Sequence, residues 1–89
     1  MAKRGKLEII KDILYIIKEH LNSIKPTPLL RQSNISSSRF KEYFNELLER
    51  NFIKEVNHKN GKFISLTEKG FKFLEKYKTI INFIDEFEL

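Results

Sequence analysis

The sequence has 89 residues, enough for one domain, and its 40% hydrophobic and 33% charged residues are typical of a globular chain rather than a disordered one. It has no cysteine, which excludes disulfides, thiolate zinc sites and cysteine nucleophiles. The net charge of +5 at pH 7 suggests a polyanion as partner, usually nucleic acid. The alternative is that the lysines only keep a small protein soluble.

The first predicted helix runs from about Lys6 to Leu21. Its apolar residues recur at helical spacing and form one stripe, while charged residues take the other side. The stripe consists of Ile9, Ile10, Ile13, Leu14, Ile17 and Leu21.

A short second helix is predicted after Pro26, with Thr27 as its N-cap and Pro28 at its first helical position. It ends near Ser33 and Asn34, where asparagine tolerates a left-handed turn. A third helix over residues 36–50 follows a serine cap. Its apolar residues give the full helical repeat: Phe40, Tyr43, Phe44, Leu47 and Leu48.

Residues 52–56 and 62–66 are predicted as two short strands, and residues 57–61 between them as a turn, because Asn60-Gly61 is a strong hairpin signal. Thr67 is the expected N-cap of a last helix, with Glu68 in its first turn. Within that helix, Gly70 suggests close packing on a neighbour. The order of elements is that of a winged helix-turn-helix domain: mainly α, with a three-helix core, a two-stranded wing and a long C-terminal helix.

Three stretches in this order carry a resemblance: Lys6-Leu7-Glu8-Ile9-Ile10, Asn34-Ile35-Ser36 and Leu66-Thr67-Glu68-Lys69-Gly70. They resemble small archaeal winged helix-turn-helix DNA-binding proteins over about residues 6–80. That family includes transcriptional regulators and a dimeric chromatin-type protein whose terminal helices pair. The resemblance implies double-stranded DNA as partner, although the wing at 57–62 is longer here.

In such a fold the exposed face of the third helix enters the major groove, N-terminal end first. Asparagine can pair with adenine and glutamate can accept from cytosine, so we expect base contacts from this face. The candidates are Ser37, Ser38, Arg39, Lys41, Glu42 and Asn45. The alternative is a plain solvated face, and the shared exposed side of Glu42, Glu46 and Glu49 would repel phosphates.

Phosphate contacts are expected from the second helix and the wing. These candidates are Thr27, Arg31, His58, Lys59, Asn60 and Lys62. A basic N-terminal arm of Lys3, Arg4 and Lys6 is a weaker candidate.

The last helix is too apolar to lie free in solvent. Its apolar residues repeat at spacings of three and four, as in the contact seam of a coiled coil, and this seam predicts a homodimer. The predicted contacts are Phe73, Leu74, Tyr77, Ile80, Ile81, Ile84 and Phe87. In the monomeric alternative this seam folds back on Ile10, Ile13, Ile17 and Leu21. We therefore expect residues 1–70 to form the DNA-binding body and residues 71–89 a dimerisation helix continuous with it.

The leading interpretation is a dimeric transcriptional regulator. The alternatives are an architectural DNA binder of low specificity and a winged helix that contacts other proteins. An enzyme is the weakest interpretation, because no phosphate loop and no nucleophile–base pair is visible. No uncharged run approaches the ~20 residues of a membrane span, and no secretion signal is apparent. We therefore expect a cytoplasmic, nucleoid-associated protein without cofactor, metal or membrane contact.

Overall fold

The structure, a computed structural model, describes residues 4–89. It contains four helices and one antiparallel hairpin: α1 Lys6–Glu19, α2 Pro26–Ser33, α3 Ser37–Glu49, β1 Ile53–His58, β2 Gly61–Leu66 and α4 Glu68–Glu86. This order confirms the predicted winged helix: three helices, a two-stranded wing and a long C-terminal helix.

The core forms around α1, whose predicted stripe is buried from Ile9 to Ile17. The last member of that stripe was predicted wrongly, because Leu21 is 92% exposed. The helix ends at Glu19, and Leu21 and Asn22 turn the chain in the left-handed region. Asn22 is held there by β2, since its Oδ1 accepts a hydrogen bond of 2.6 Å from the Leu66 amide.

Ile24 takes the place in the core that was expected for Leu21. It is 3% exposed, and it pairs antiparallel with Ile64 through two backbone hydrogen bonds of 3.1 and 2.7 Å. The segment before α2 thus adds a one-residue bridge to the edge of the hairpin.

Helix α2 begins earlier than the sequence predicts. Lys25 is its N-cap, in extended backbone and without a side-chain cap, and Pro26 is its first residue. Thr27 is therefore inside the first turn and is not the cap; the ring of Pro26 already supplies the helical φ at the first position. The predicted left-handed turn at Asn34 is confirmed, with φ of 57°.

The caps of α3 and α4 are confirmed. The Ser36 hydroxyl accepts a hydrogen bond of 3.3 Å from the Arg39 amide, and the Thr67 hydroxyl accepts one of 3.2 Å from the Gly70 amide. Gly70 is buried, and a Cβ there would collide with the carbonyl oxygen of Phe52. The predicted close packing at this glycine is therefore present, and it fixes the start of α4 against the segment that enters the wing.

The wing is a tighter hairpin than predicted. The strands pair from Ile53 with Leu66 to His58 with Gly61, so only Lys59 and Asn60 remain in the loop. Gly61 begins β2 with φ of 120° instead of forming the centre of the turn. Each additional pair satisfies backbone groups that a five-residue turn would leave to water, which explains why the ladder extends to the tip.

Candidate nucleic-acid interface

The polar side of α3 is open. All six residues of this face that were predicted to contact DNA are exposed: Ser37, Ser38, Arg39, Lys41, Glu42 and Asn45. The opposite side holds the helix to the body, because Phe40 and Leu47 are buried and the Phe40 ring stacks on Phe44 with centroids 5.5 Å apart. The helix therefore presents this face to solvent on a rigid support.

One of the three acids expected on that side lies elsewhere. Glu46 is half-buried on the flank of α3, where its Oε2 is 3.1 Å from Lys6 Nζ and 3.3 Å from Arg50 Nε. Its charge is balanced by two cations, so it does not add to phosphate repulsion. Glu42 and Glu49 are exposed and have no cation within 4.0 Å among residues 4–89.

The two members of the predicted basic N-terminal arm that the structure describes both form ion pairs with acids of the fold. Arg4 bonds Asp12 at 2.8 Å, and Lys6 bonds Glu46 at 3.1 Å. Both cations are used inside the fold, which the sequence could not reveal because their acids lie farther along the chain. The third member, Lys3, lies outside the described residues.

The two candidates on α2 are accessible. Thr27 and Arg31 are both exposed, Thr27 in the first turn and Arg31 in the last. The structure thus separates them by a turn of helix instead of clustering both at its start.

The wing candidates lie at or beside the tip of the hairpin, and all four are exposed: His58, Lys59, Asn60 and Lys62. His58 packs edge-on against Phe63, with ring centroids 5.4 Å apart. Lys62 differs from Lys59 because its Nζ is 3.4 Å from Glu55 Oε2 on the facing strand. Part of its charge is therefore neutralised within the wing.

Ion pairing divides the cations of the chain into two groups. The six ion pairs among residues 4–89 use Arg4, Lys6, Lys11, Arg50, Lys62 and Lys72. Of the predicted DNA contacts, this set contains Lys62 of the wing and the two arm residues Arg4 and Lys6. Arg31, Arg39, Lys41 and Lys59 are exposed and have no carboxylate within 4.0 Å in the same part of the chain, so their charge is available to an anionic partner.

The apolar residues of α4 divide along its length. Phe73 and Leu74 are half-buried and pack against the chain's own core, with the Phe73 ring 5.7 Å from that of Phe52. Tyr77 and Ile84 are also half-buried. Farther along, three side chains lie in solvent: Ile80 at 58%, Ile81 at 39% and Phe87 at 58% exposure.

The sequence prediction missed two exposed aromatic residues on α4. Phe71 is 40% exposed and Phe83 is 55% exposed, with the Phe83 ring 4.8 Å from Phe87. Both are off the seam spacing that selected the predicted set. Between α1 and α4 an open cleft of about 650 Å³ remains, lined in part by Tyr15, Phe71 and Ile81. Helix α1 therefore covers only part of the seam.

Other sites are not apparent in the described part of the chain. Within residues 4–89, no group of three or more histidine, aspartate or glutamate side chains is arranged so that it could hold a metal ion. None of the helices in these residues combines the length and the apolarity needed to cross a membrane.

Comparisons with known proteins agree with this architecture. The family model described as winged helix-turn-helix matches residues 3–85. A search of curated proteins gave no match.

Three solved structures share the fold. Sso10a-2, a DNA-binding protein from Sulfolobus solfataricus, is 20% identical with a TM-score of 0.74 over 96% of this chain and 86% of its own. F93 from STIV, a winged-helix DNA-binding protein, is 20% identical with a TM-score of 0.73 over 89% of this chain and 91% of its own. F-93 of SSV1 is 24% identical with a TM-score of 0.67 over 96% of this chain and 99% of its own. At these identities the likeness concerns the fold.

Proposed function

This chain belongs to the winged helix-turn-helix family, and from that premise we propose that it is a dimeric DNA-binding protein acting as an archaeal transcriptional regulator. One observation carries the proposal: the exposed side of α3, the end of α2 and the wing present cations that the fold leaves without acidic partners. The DNA-binding proteins Sso10a-2 and F93 share its fold, which supports duplex DNA as the ligand.

In this proposal α3 reads the major groove with its exposed face over residues 37–45. Asn45 pairs with adenine, Arg39 and Lys41 contact guanine or phosphate, and Glu42 accepts from the cytosine amino group. Ser37 and Ser38 are short enough to let the start of the helix approach the bases. Because Glu42 is an exposed anion with no cation within 4.0 Å among residues 4–89, it would add selectivity and not affinity.

The second helix and the wing supply sequence-independent contacts. Thr27 and Arg31 lie along α2, and His58, Lys59 and Asn60 lie at the wing tip. Lys62 contributes less, because Glu55 already neutralises part of its charge. These contacts fix the orientation of α3 on the duplex but read no bases.

In this proposal two copies of the chain form a dimer through their α4 helices. Ile80 and Ile81 lie on the last part of the 19-residue helix α4 and Phe87 is its C-cap, and all three side chains are exposed. Covering such a patch with an identical helix removes apolar surface from water. Phe73, Leu74, Tyr77 and Ile84 are half-buried in the monomer, so they form the inner edge of that contact. A twofold dimer would bind two half-sites about one or two helical turns apart.

Selection of bound duplexes from a random DNA pool at two salt concentrations tests the proposal, followed by footprinting of a double substitution, Lys41→Ala with Asn45→Ala. We expect lower affinity and relaxed base preference, since charge and base contact are both lost. The matched control is Lys76→Ala with Asn82→Ala, which removes the same residue types from exposed positions of α4. Equal footprints for the two double variants would reject the groove assignment.

An architectural, weakly specific DNA binder is a second candidate, favoured by the basic charge of the chain. A small ratio of specific to non-specific affinity with a steep salt dependence would favour it. A protein-binding winged helix is the third candidate, favoured by the exposed Glu42 and Glu49; it predicts no salt-dependent DNA binding. None of the three assigns the chain a catalytic step, and DNA binding would place it with the nucleoid in the cytoplasm.

A further inference from the structure

Lys25, which the sequence pattern did not select, lies against the wing. It is the exposed residue just before α2 and follows Ile24, which bridges to Ile64 of β2. That bridge brings the lysine side chain over the hairpin: its Cε would be 4.0 Å from a Cβ added at Gly61, at the start of β2. A residue far from the wing in sequence therefore belongs to its surface.

An aromatic ring holds the Lys25 side chain in place. Lys25 Nζ lies 5.6 Å from the centroid of the Phe63 ring, within the range of a cation–π contact. His58 meets the same ring edge-on at 5.4 Å. Phe63 is half-buried, and a lysine that already rests on its ring loses less conformational freedom on meeting a ligand than a freely solvated lysine would.

The charge of Lys25 is not used within the fold. Among residues 4–89 no carboxylate lies within 4.0 Å of it, whereas Lys62 on the same hairpin is paired with Glu55 at 3.4 Å. An ammonium group has three donors, so Lys25 can stay over the ring and still donate to an anion. Of the two lysines beside Gly61, only Lys25 keeps its full charge.

We infer that Lys25, supported by Phe63, contacts a DNA phosphate beside the tip of the wing. This inference rests on the proposed DNA binding, and it adds a contact that connects the wing to the start of α2. The phosphate group is the ligand; the contact carries no base preference.

Salt dependence of DNA binding tests the inference. The wild-type protein, Lys25→Ala, Lys25→Arg and Lys76→Ala are titrated against a labelled mixed-sequence duplex of about 30 base pairs, with salt varied from about 50 to 200 mM. We expect Lys25→Ala to flatten the slope of log affinity against log salt by about 0.9 for each Lys25 that contacts a phosphate, or about 3.5-fold in affinity over that range. Lys25→Arg keeps the slope, because the charge remains.

Lys76→Ala is the matched control, since it removes one exposed, unpaired lysine from α4, and it should leave the slope unchanged. Lys25 provides no side-chain cap to α2, so Lys25→Ala should keep the wild-type circular dichroism spectrum and melting temperature. Equal slopes for Lys25→Ala and the wild type, or equal losses for Lys25→Ala and Lys76→Ala, would overturn the inference and leave the proposed DNA binding standing. A wild-type protein that shows no salt-dependent binding would overturn both.

Discussion

The guanidinium of Arg4 donates a hydrogen bond of 2.8 Å to the carboxylate of Asp12 on α1. The same guanidinium also donates to the carbonyl oxygens of Ser33 and Asn34, each at 3.1 Å. Arg4 thereby ties α1 to the turn that joins α2 to α3. Arg4 and Asp12 therefore connect the turn before the proposed reading helix α3 to α1.

Asp12 should make the stability of the protein sensitive to acid. Partial burial raises its pKa, but hydrogen bonds from Lys11 and Arg4 outweigh the burial and hold the pKa below the usual 3.8. Its contribution is therefore present above about pH 4 and is lost as the pH falls through the lowered value. Asp12→Asn should reduce the free energy of unfolding by about 1–2 kcal/mol at pH 7 and flatten the acid limb, measured by urea unfolding across pH.

The ion pair between Lys11 and Asp12 also shifts the pKa of Lys11, and the resulting contribution to stability is lost at high pH instead of low pH. The hydrogen bond to Asp12 raises the pKa of Lys11 above 10.5, against the effect of burial. This contribution is complete below about pH 10.5 and is lost as the pH rises through the raised value.

Glu19→Gln, on the exposed end of α1, is the control for Asp12→Asn and should leave the acid limb unchanged. An acid limb as steep in Asp12→Asn as in the wild type would contradict the assignment.

The cap of α3 should matter for both stability and DNA binding. Ser36→Ala removes the hydroxyl that accepts from the Arg39 amide at 3.3 Å, at a cost of about 1 kcal/mol in the free energy of unfolding. Ser37→Ala, one position inside the helix, is the matched control with little expected change in stability. Thermal unfolding of the two variants side by side measures the difference, and equal melting temperatures would count against the cap.

Gly70 should not tolerate a side chain. In Gly70→Ala the new Cβ meets the Phe52 backbone oxygen, which cannot rotate away as a side chain would. We expect a loss of about 1–3 kcal/mol in the free energy of unfolding. At Gly5, the N-cap of α1, an added Cβ has no atom within 4 Å, so Gly5→Ala should cost only the lower preference of alanine for an N-cap, about 0.5–1 kcal/mol. Urea unfolding that ranks the two variants equally would refute the close contact.

The apolar side of α4 should control the oligomeric state. Ile81 is 39% exposed, and Ile81→Glu places a charge where the proposed dimer needs an apolar contact. Equilibrium sedimentation should give the mass of a monomer for this variant and of a dimer for the wild type. Lys76→Glu, at another exposed position of the helix, should remain dimeric. A wild-type protein that sediments as a monomer would reject the dimer itself.

The features that could be predicted from the sequence are those that depend on near neighbours. The caps at Ser36 and Thr67, the left-handed Asn34 and the close packing at Gly70 are all confirmed, because each follows from a few adjacent residues. The helical spacing of α1 was likewise a good guide, because five of the six residues in the predicted stripe are buried.

The features that the sequence did not reveal depend on partners distant along the chain. Ile24 is buried because Ile64 pairs with it, and Leu21 is exposed because β2 holds Asn22 in a left-handed turn. Arg4 was interpreted as part of a free arm, although Asp12 and the α2–α3 turn bind it. In the candidate interface, Lys25 joins the wing only through the same bridge. Local patterns contain no information on such contacts.

Gly70 packs closely against the Phe52 carbonyl oxygen, and the Thr67 amide donates a hydrogen bond of 3.1 Å to the same oxygen. These two contacts fix the start of α4. A helix of 19 residues is about 28 Å long, so a tilt of about 10° at its base moves its tip by about 5 Å. A substitution at this joint that tilts α4 therefore moves the far end of the helix more than the site of the change.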